Sequence, residues 1–155
     1  MREPVLACVG LGANLGDPVA QVHWALDALA ALPDSRLLAA SSLYRTAPWE
    51  AAGPDFINAV ARLETRLSAP ALLHALQALE ARAGRERPYR NAPRTLDLDL
   101  LFYGDAMVQS PDLVLPHPRW RERAFVLHPL AELLPERVSP ADLARVADQT
   151  IARLP

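Results

Sequence analysis

Arg90-Asn91-Ala92-Pro93-Arg94-Thr95-Leu96-Asp97-Leu98-Asp99-Leu100-Leu101 alternates carboxylates with leucines, directly after a loop rich in arginine. On a strand, successive side chains point to opposite faces, so Asp97 and Asp99 share one face. Leu96, Leu98 and Leu100 take the other and can pack into a core. Leu101 and Tyr103 continue the parity of the aspartates, so that face is not a plain solvated one. Two adjacent carboxylates repel. A divalent cation removes the repulsion, and Mg²⁺ prefers such hard oxygen donors. The guanidinium groups of Arg85, Arg87, Arg90 and Arg94 suit phosphate oxygens. Carboxylates beside clustered arginines point to a Mg-nucleotide site.

The rest of the chain reads outward from this strand. Val5 to Gly12 is a mostly apolar strand. Asp17-Pro18 starts a helix running to about Leu32, with Val19, Val22, Leu26 and Leu29 at helical spacing. Arg36 to Arg45 reads as one strand, and Thr46 to Asp55 as a loop containing Pro48, Gly53 and Pro54. Phe56 to Thr65 alternates: Ile57, Ala59, Ala61 and Leu63 face one way, Phe56, Asn58, Val60 and Arg62 the other. Ser68 caps a helix bearing Leu72, Leu73, Leu76, Leu79 and Ala83 on one side, stopped by Gly84. After Tyr103, Gly104-Asp105 marks a turn, with Ala106 to Val108 as the return strand of a hairpin. Leu113 to Leu115 is another short strand, and Pro116 to Pro118 a bend around His117. Arg119 to Glu132 is helical with a break at Pro129. Ser139-Pro140 opens a last helix with Leu143, Val146 and Ala147 inward. Gly10, Gly12 and Gly16 have the wrong spacing for a dinucleotide fingerprint and read as a strand-to-helix turn. Strands and helices mix without strict alternation, which favours α+β with a largely antiparallel sheet.

Composition sets limits. The chain has 155 residues with 51% hydrophobic residues, enough for one domain spanning 1–155 with its own core. No apolar run approaches the about 20 residues of a membrane span, and the N-terminus lacks a signal-peptide pattern. The single cysteine, Cys8, sits in the first strand and reads as a core residue; a cytoplasmic location is expected. The net charge of −2 argues against nucleic-acid binding. All 16 basic residues are arginine, so a lysine-based P-loop is excluded.

Several blocks carry a further signal. Gly12-Ala13-Asn14-Leu15-Gly16-Asp17, Ser41-Ser42-Leu43-Tyr44-Arg45-Thr46-Ala47-Pro48, Asp55-Phe56-Ile57-Asn58-Ala59-Val60, the arginine–aspartate stretch, and Leu115-Pro116-His117-Pro118 with Arg123-Ala124-Phe125-Val126-Leu127 follow one another in this order. Together they resemble the 6-hydroxymethyl-7,8-dihydropterin pyrophosphokinases of folate biosynthesis, from about Gly10 to Leu134. The resemblance implies a ferredoxin-like α/β sandwich with helices on both faces of a mainly antiparallel sheet. It implies two Mg²⁺ ions held by Asp97 and Asp99, with ATP as co-substrate. It gives Arg85 and Arg94 the transferred phosphates, and Arg87 and Arg90 a place in a loop closing over ATP. Asn91 stands where relatives commonly have a tryptophan.

By the same resemblance His117 and Arg123 contact ATP phosphate. Gln77 and Glu80, three apart on one helix face, line the nucleotide side, although residue pattern alone reads them as helix surface. Main-chain groups near Leu100, Leu113 and Val114 meet the adenine. The pterin site is drawn from Thr46, Ala47, Pro48, Phe56, Asn58 and Phe125, with Asn14 nearby. A flat heteroaromatic ring needs an apolar slot and a few edge hydrogen bonds, which two phenylalanines and an amide can supply.

The implied reaction is attack of the pterin hydroxymethyl oxygen on the β-phosphorus of ATP, with AMP leaving. Small-molecule substrates and a monomer are expected, with neither nucleic acid nor membrane as partner. A nucleotidyltransferase, attacking at the α-phosphorus, and a binding module without turnover remain as alternatives from the residues alone.

Overall fold

A computed structural model describes residues 2–48, 53–84 and 96–155. In chain order the elements are β1 (Val5–Ala13), α1 (Pro18–Ala30), β2 (Ser35–Ala40), β3 (Tyr44–Thr46), β4 (Phe56–Thr65), α2 (Ala69–Gly84) and β5 (Asp97–Tyr103). They continue with β6 (Val108–Gln109), β7 (Val114–Leu115), α3 (Ala124–Leu133), α4 (Pro140–Arg145) and β8 (Ile151–Arg153). Short 3₁₀ turns lie at Trp120–Glu122 and Pro135–Arg137.

The main sheet runs β5-β1-β4-β3-β8, with β2 also paired to β4. Every pairing among the described strands is antiparallel. This is the expected α+β sandwich of ferredoxin-like type. One sheet face carries Ala7, Val9, Leu11, Ile57, Ala59, Ala61 and Leu63, and α1 and α2 cover it with Val22, Leu29, Leu72 and Leu76. The helices form there because their apolar residues recur every three to four positions and their first turns are capped. Asp17 Oδ1 accepts from Ala20 N–H at 3.1 Å, and Ser68 Oγ from Ala71 N–H at 3.2 Å. The opposite face packs Cys8, Val60 and Leu101 against Trp120, Val126, Leu127 and Leu130 of the α3 region. Burial there pushes the Cys8 thiol up to about 11, against the pull of Arg137 and Arg62, as suits an inert core residue.

Five details depart from the sequence reading. The stretch from Arg36 to Arg45 is two strands, because Ser41 breaks the ladder. Its N–H donates to Val60 O at 2.9 Å while its Oγ accepts from Val60 N–H at 2.9 Å. β2 therefore pairs with the C-terminal half of β4, and β3 with the Phe56–Asn58 end. On β5 a bulge ends the simple parity: Cys8 pairs with Phe102 but Val9 with Leu100, so Leu101 is the extra residue. Leu101 and Phe102 both join the α3 side, and Tyr103 crosses to the α1–α2 side, where its hydroxyl donates to Leu67 O at 2.7 Å.

The residues after Gly104 do not return along β5. Gly104, at φ 54°, turns the chain and donates its N–H to Leu6 O at 2.7 Å, and the hairpin that follows is β6 with β7. The break in the last apolar stretch falls at Arg123, whose φ of −119° and ψ of 113° are extended; Pro129 lies inside α3. Finally, Ala147 is exposed, and the chain beyond it adds β8 beside β3, a three-residue strand too short to leave a pattern.

α3 is fastened to the sheet at its C-terminal end. Glu132 accepts from Ser42 N–H at 2.9 Å, from Ser42 Oγ–H at 3.1 Å and from the Tyr44 hydroxyl. Burial pushes the Tyr44 phenol up to about 12, and the Glu132 carboxylate reinforces the shift. Burial alone would raise the Glu132 carboxyl, but the bonds from Tyr44 and Ser42 outweigh it and hold the group below its ordinary value. A carboxyl with a depressed folded-state pKa stabilises above its unfolded pKa and loses that contribution as pH falls through the folded value. Glu132→Ala is therefore expected to cost about 1–2 kcal/mol at neutral pH. Denaturant unfolding should show the gap from the wild type closing as pH drops below 4.5.

Candidate active site

The α3-side face of the sheet is left open where β1 carries glycine in place of side chains. Gly10 and Gly12 lie within β1, not in a turn. Gly12 is paired with Asn58 on β4 and with Asp97 on β5; Gly10 is paired with Val60 and Asp99. The two glycines form the floor of a cavity of about 360 Å³. Neighbouring strands are about 4.8 Å apart, so the aspartates stand about 10 Å across the floor from the Asn58 row.

On the β4 side, Phe56, Asn58, Thr46 and Ala47 line the cavity. Asn58 and Thr46 are each only 4% exposed. Asn58 Nδ2 donates to Thr46 Oγ1 at 2.7 Å, which fixes the amide and leaves Oδ1 as its acceptor end. Phe125, on the first turn of α3, faces the same space. Two aromatic rings and an oriented amide lining one cavity suit a flat heteroaromatic ring.

On the β5 side stand Asp97 and Asp99, joined by His117, Arg119 and Arg123. The extended backbone at Arg123 releases its side chain from the helix toward the sheet. Its guanidinium lies 3.9 Å from Asp99 Oδ2 and 5.4 Å from the centre of the Phe125 ring. Arg123 Nε is buried with no hydrogen-bond partner among the described residues, so the group keeps a donor in reserve. Burial lowers its pKa and Asp99 opposes the change. His117 Nδ1 accepts from Arg119 N–H at 3.1 Å, which puts the ring proton on Nε2. Burial, with help from Arg123 and Arg119 and against the pull of Asp99, holds His117 below the ordinary histidine range. A neutral imidazole that can donate from Nε2 suits an anionic oxygen.

The other expected site residues are placed differently. Asn14 and Pro48 do not line the cavity; Asn14 Nδ2 donates to Pro54 O at 3.3 Å and ties the first loop to the approach of β4. Gln77 is exposed on α2. Glu80 Oε2 accepts from Leu98 N–H at 2.8 Å, on the outer edge of β5. Leu100 is core, while Leu113 and Val114 sit at the β6–β7 hairpin. Arg85, Arg87, Arg90, Asn91 and Arg94 lie outside the described residues. The sequence reading passed over Arg119, although it follows His117 by two positions in an arginine-rich segment, and took the floor glycines for a turn. The signal for Gly10 and Gly12 was their period of two, which puts both on one strand face.

A family model of 7,8-dihydro-6-hydroxymethylpterin-pyrophosphokinase matches residues 8–135. The chain belongs to this family. It is a transferase of the pyrophosphokinase class, moving pyrophosphate to the hydroxymethyl group of the dihydropterin in folate biosynthesis, with ATP as co-substrate. A Pseudomonas aeruginosa protein named 2-amino-4-hydroxy-6-hydroxymethyldihydropteridine pyrophosphokinase is 46% identical over 154 residues, 95% of each chain. A Methylorubrum extorquens protein of the same name is 44% identical, covering 91% of this chain and 90% of the relative. Among solved structures, an HPPK-DHPS chain from Plasmodium falciparum superposes with a TM-score of 0.71 at 15% identity. The match covers 88% of this chain but 43% of that longer one, and it speaks for the fold alone.

Glu80 occupies the outward N–H of the strand that ends the sheet among the described residues, so it holds the strand of Asp97 and Asp99 from behind. Glu80→Ala should free that amide. Its hydrogen exchange is expected to rise about tenfold, with Glu80→Gln, which keeps an acceptor oxygen, close to wild type.

Proposed function

We propose that Asp97 and Asp99 hold Mg²⁺ on the triphosphate of ATP, while Phe56, Phe125, Asn58 and Thr46 seat the pterin across the glycine floor. The observation that carries this reading is the register: β1 puts Asp97 and Asn58 on either side of the same bare residue, Gly12. Among the described residues no third His, Cys, Asp or Glu joins the two aspartates in a metal-binding group. That fits Mg²⁺, which commonly takes one or two carboxylates and completes its shell with phosphate oxygens and water. Bound there, the ion would neutralise the triphosphate and lower the pKa of the attacking hydroxyl.

The chain's own groups orient and stabilise. Phe56 and Phe125 hold the ring plane, Asn58 meets its edge, and Ala47 closes the slot with Pro48 and Asn14 nearby. The hydroxymethyl oxygen then points over Gly12 toward the β-phosphorus. As the new O–P bond forms, the bond from the β-phosphorus to the α,β-bridging oxygen breaks, AMP departs with that oxygen, and the hydroxyl proton passes to solvent. Arg123 and His117 Nε2–H donate to the phosphate oxygens as charge shifts onto them. Arg123 exchanges its contact with Asp99 for phosphate once that carboxylate has a cation. Arg85 and Arg94 serve as further phosphate ligands, and Arg87 and Arg90 close over the nucleotide. Gln77 and Glu80 lie on the nucleotide side, with main chain near Leu100, Leu113 and Val114 meeting the adenine. Positioning and electrostatics supply the rate, since among the described residues no side chain stands out as a dedicated base. The proposal extends to two ions and to a monomeric, cytoplasmic protein whose 155 residues act as one unit. Among the described residues no helix is long and apolar enough to cross a membrane.

Chromatography of nucleotides after incubation with ATP, Mg²⁺ and 6-hydroxymethyl-7,8-dihydropterin tests this reading. AMP and a pterin diphosphate should form in step, and only with pterin present. Release of ADP, or of pyrophosphate with an adenylylated acceptor, would refute it. Asp97→Asn and Asp99→Asn are each expected to lower kcat at least about a hundredfold, about 2.7 kcal/mol of barrier, with folding intact by circular dichroism.

A further inference from the structure

The two floor glycines are not equivalent. A Cβ built at Gly12 would lie 2.8 Å from Asn58 Oδ1, with Asn58 Cγ and a Phe56 ring carbon next at 3.9 Å. The three atoms nearest a Cβ at Gly10 all belong to Leu101, at 3.5 Å or more, which is ordinary contact. Gly12 has no positive φ, so its backbone does not call for glycine. The constraint is steric. It is also one-sided: all three nearest atoms belong to β4, and none to Asp97 across the floor.

The obstructed atom is the end of one side chain, so the fold can yield there. The amide cannot yield without loss. Asn58 is buried, and its Nδ2 is committed to Thr46 at 2.7 Å. Turning Oδ1 away from a methyl at position 12 draws Nδ2 off the Thr46 hydroxyl and leaves two buried polar groups poorly paired.

We propose that Gly12 is a specificity-determining position for the acceptor ring, acting through Asn58. Its missing side chain lets the carboxamide lie across β1, tied to Thr46 by Nδ2, with Oδ1 held as an acceptor for an N–H on the edge of a planar heteroaromatic substrate. The inference rests on the proposed seat of the pterin. Gly12 is a positioning residue in this account, and its effect falls on the acceptor, not on the nucleotide.

The test uses Gly12→Ala, Asn58→Ala and the double variant of the full chain. Ligand-free stability is measured by denaturant unfolding, and binding of 6-hydroxymethyl-7,8-dihydropterin and of Mg-ATP by calorimetry, alongside steady-state kinetics. Gly12→Ala is expected to raise the pterin Kd and KM at least about tenfold, with kcat falling far less and Mg-ATP affinity within about twofold. In the Asn58→Ala background, adding Gly12→Ala should weaken pterin binding no further, because the displaced atom is gone. Unchanged pterin affinity in Gly12→Ala, equal loss for both ligands, or a second about tenfold loss on top of Asn58→Ala would each overturn the proposal. If Gly12→Ala fails to fold, the double variant decides: recovery of folding supports the clash with Asn58, and continued failure refutes it. Wild-type protein that binds no pterin would instead overturn the proposed function, while a coupling of positions 12 and 58 in ligand-free stability would still stand.

Discussion

β1 is paired with β4 along all nine of its residues and with β5 from Ala7 to Gly12, and that double register fixes where everything else can go. Strand pairing has a side-chain period of two, so a slip by one residue would send Asp97, Asp99, Asn58 and Phe56 into the α1–α2 core. The apolar set Ala7, Val9, Leu11 and Ala13 forbids that slip, because its burial under two helices is worth far more than any local preference. The functional face is thus held in register by the face that carries no function.

Having fixed the register, the fold separates rigidity from access. On the α1–α2 side Ala7, Val9, Leu11, Ile57, Ala59, Ala61 and Leu63 are buried under the two helices. On the other side, α3 is fastened by Glu132 at its C-terminal end, through Ser42 and Tyr44, while its N-terminal end brings Phe125 over the glycine floor. The helix is a short lever between the loop before β3 and the cavity. The extended residue at Arg123 lets the side chain just before the helix turn back toward Asp99.

Charge is arranged so that the site tolerates its own repulsion. Asp97 and Asp99 share a face, and Arg123 stands against Asp99 with one buried nitrogen that has no hydrogen-bond partner among the described residues. Such a contact at 3.9 Å is loose enough to be exchanged. Burial and two neighbouring arginines, against the pull of Asp99, oppose protonation of His117. The arginine over Phe125 also joins the two halves of the cavity, as the same guanidinium touches the aromatic slot and the carboxylate pair.

By itself the sequence determined the elements whose patterns are long and one-sided: β1, α1, β4, α2 and the aspartate strand. It determined the sharing of a face by Asp97 with Asp99 and by Phe56 with Asn58. These follow from periodicity, which is local. The ferredoxin-like fold and the gathering of His117, Arg123 and Phe125 about one cavity were legible only through ordered motifs that resemble a family, because each is a lone residue whose local pattern looks structural. Tertiary structure alone decided the rest. Ser41 divides β2 from β3 because it bonds to Val60 on another strand. Leu101 bulges because β1 pairs around it, which turns Tyr103 to the opposite face. Gly10 and Gly12 became a floor, and Glu80 a clasp on Leu98, only when distant strands and helices met. A pattern within one segment can specify which way a side chain points, but not what it meets there, since the partners lie tens of residues away and are brought together by burial of the shared core.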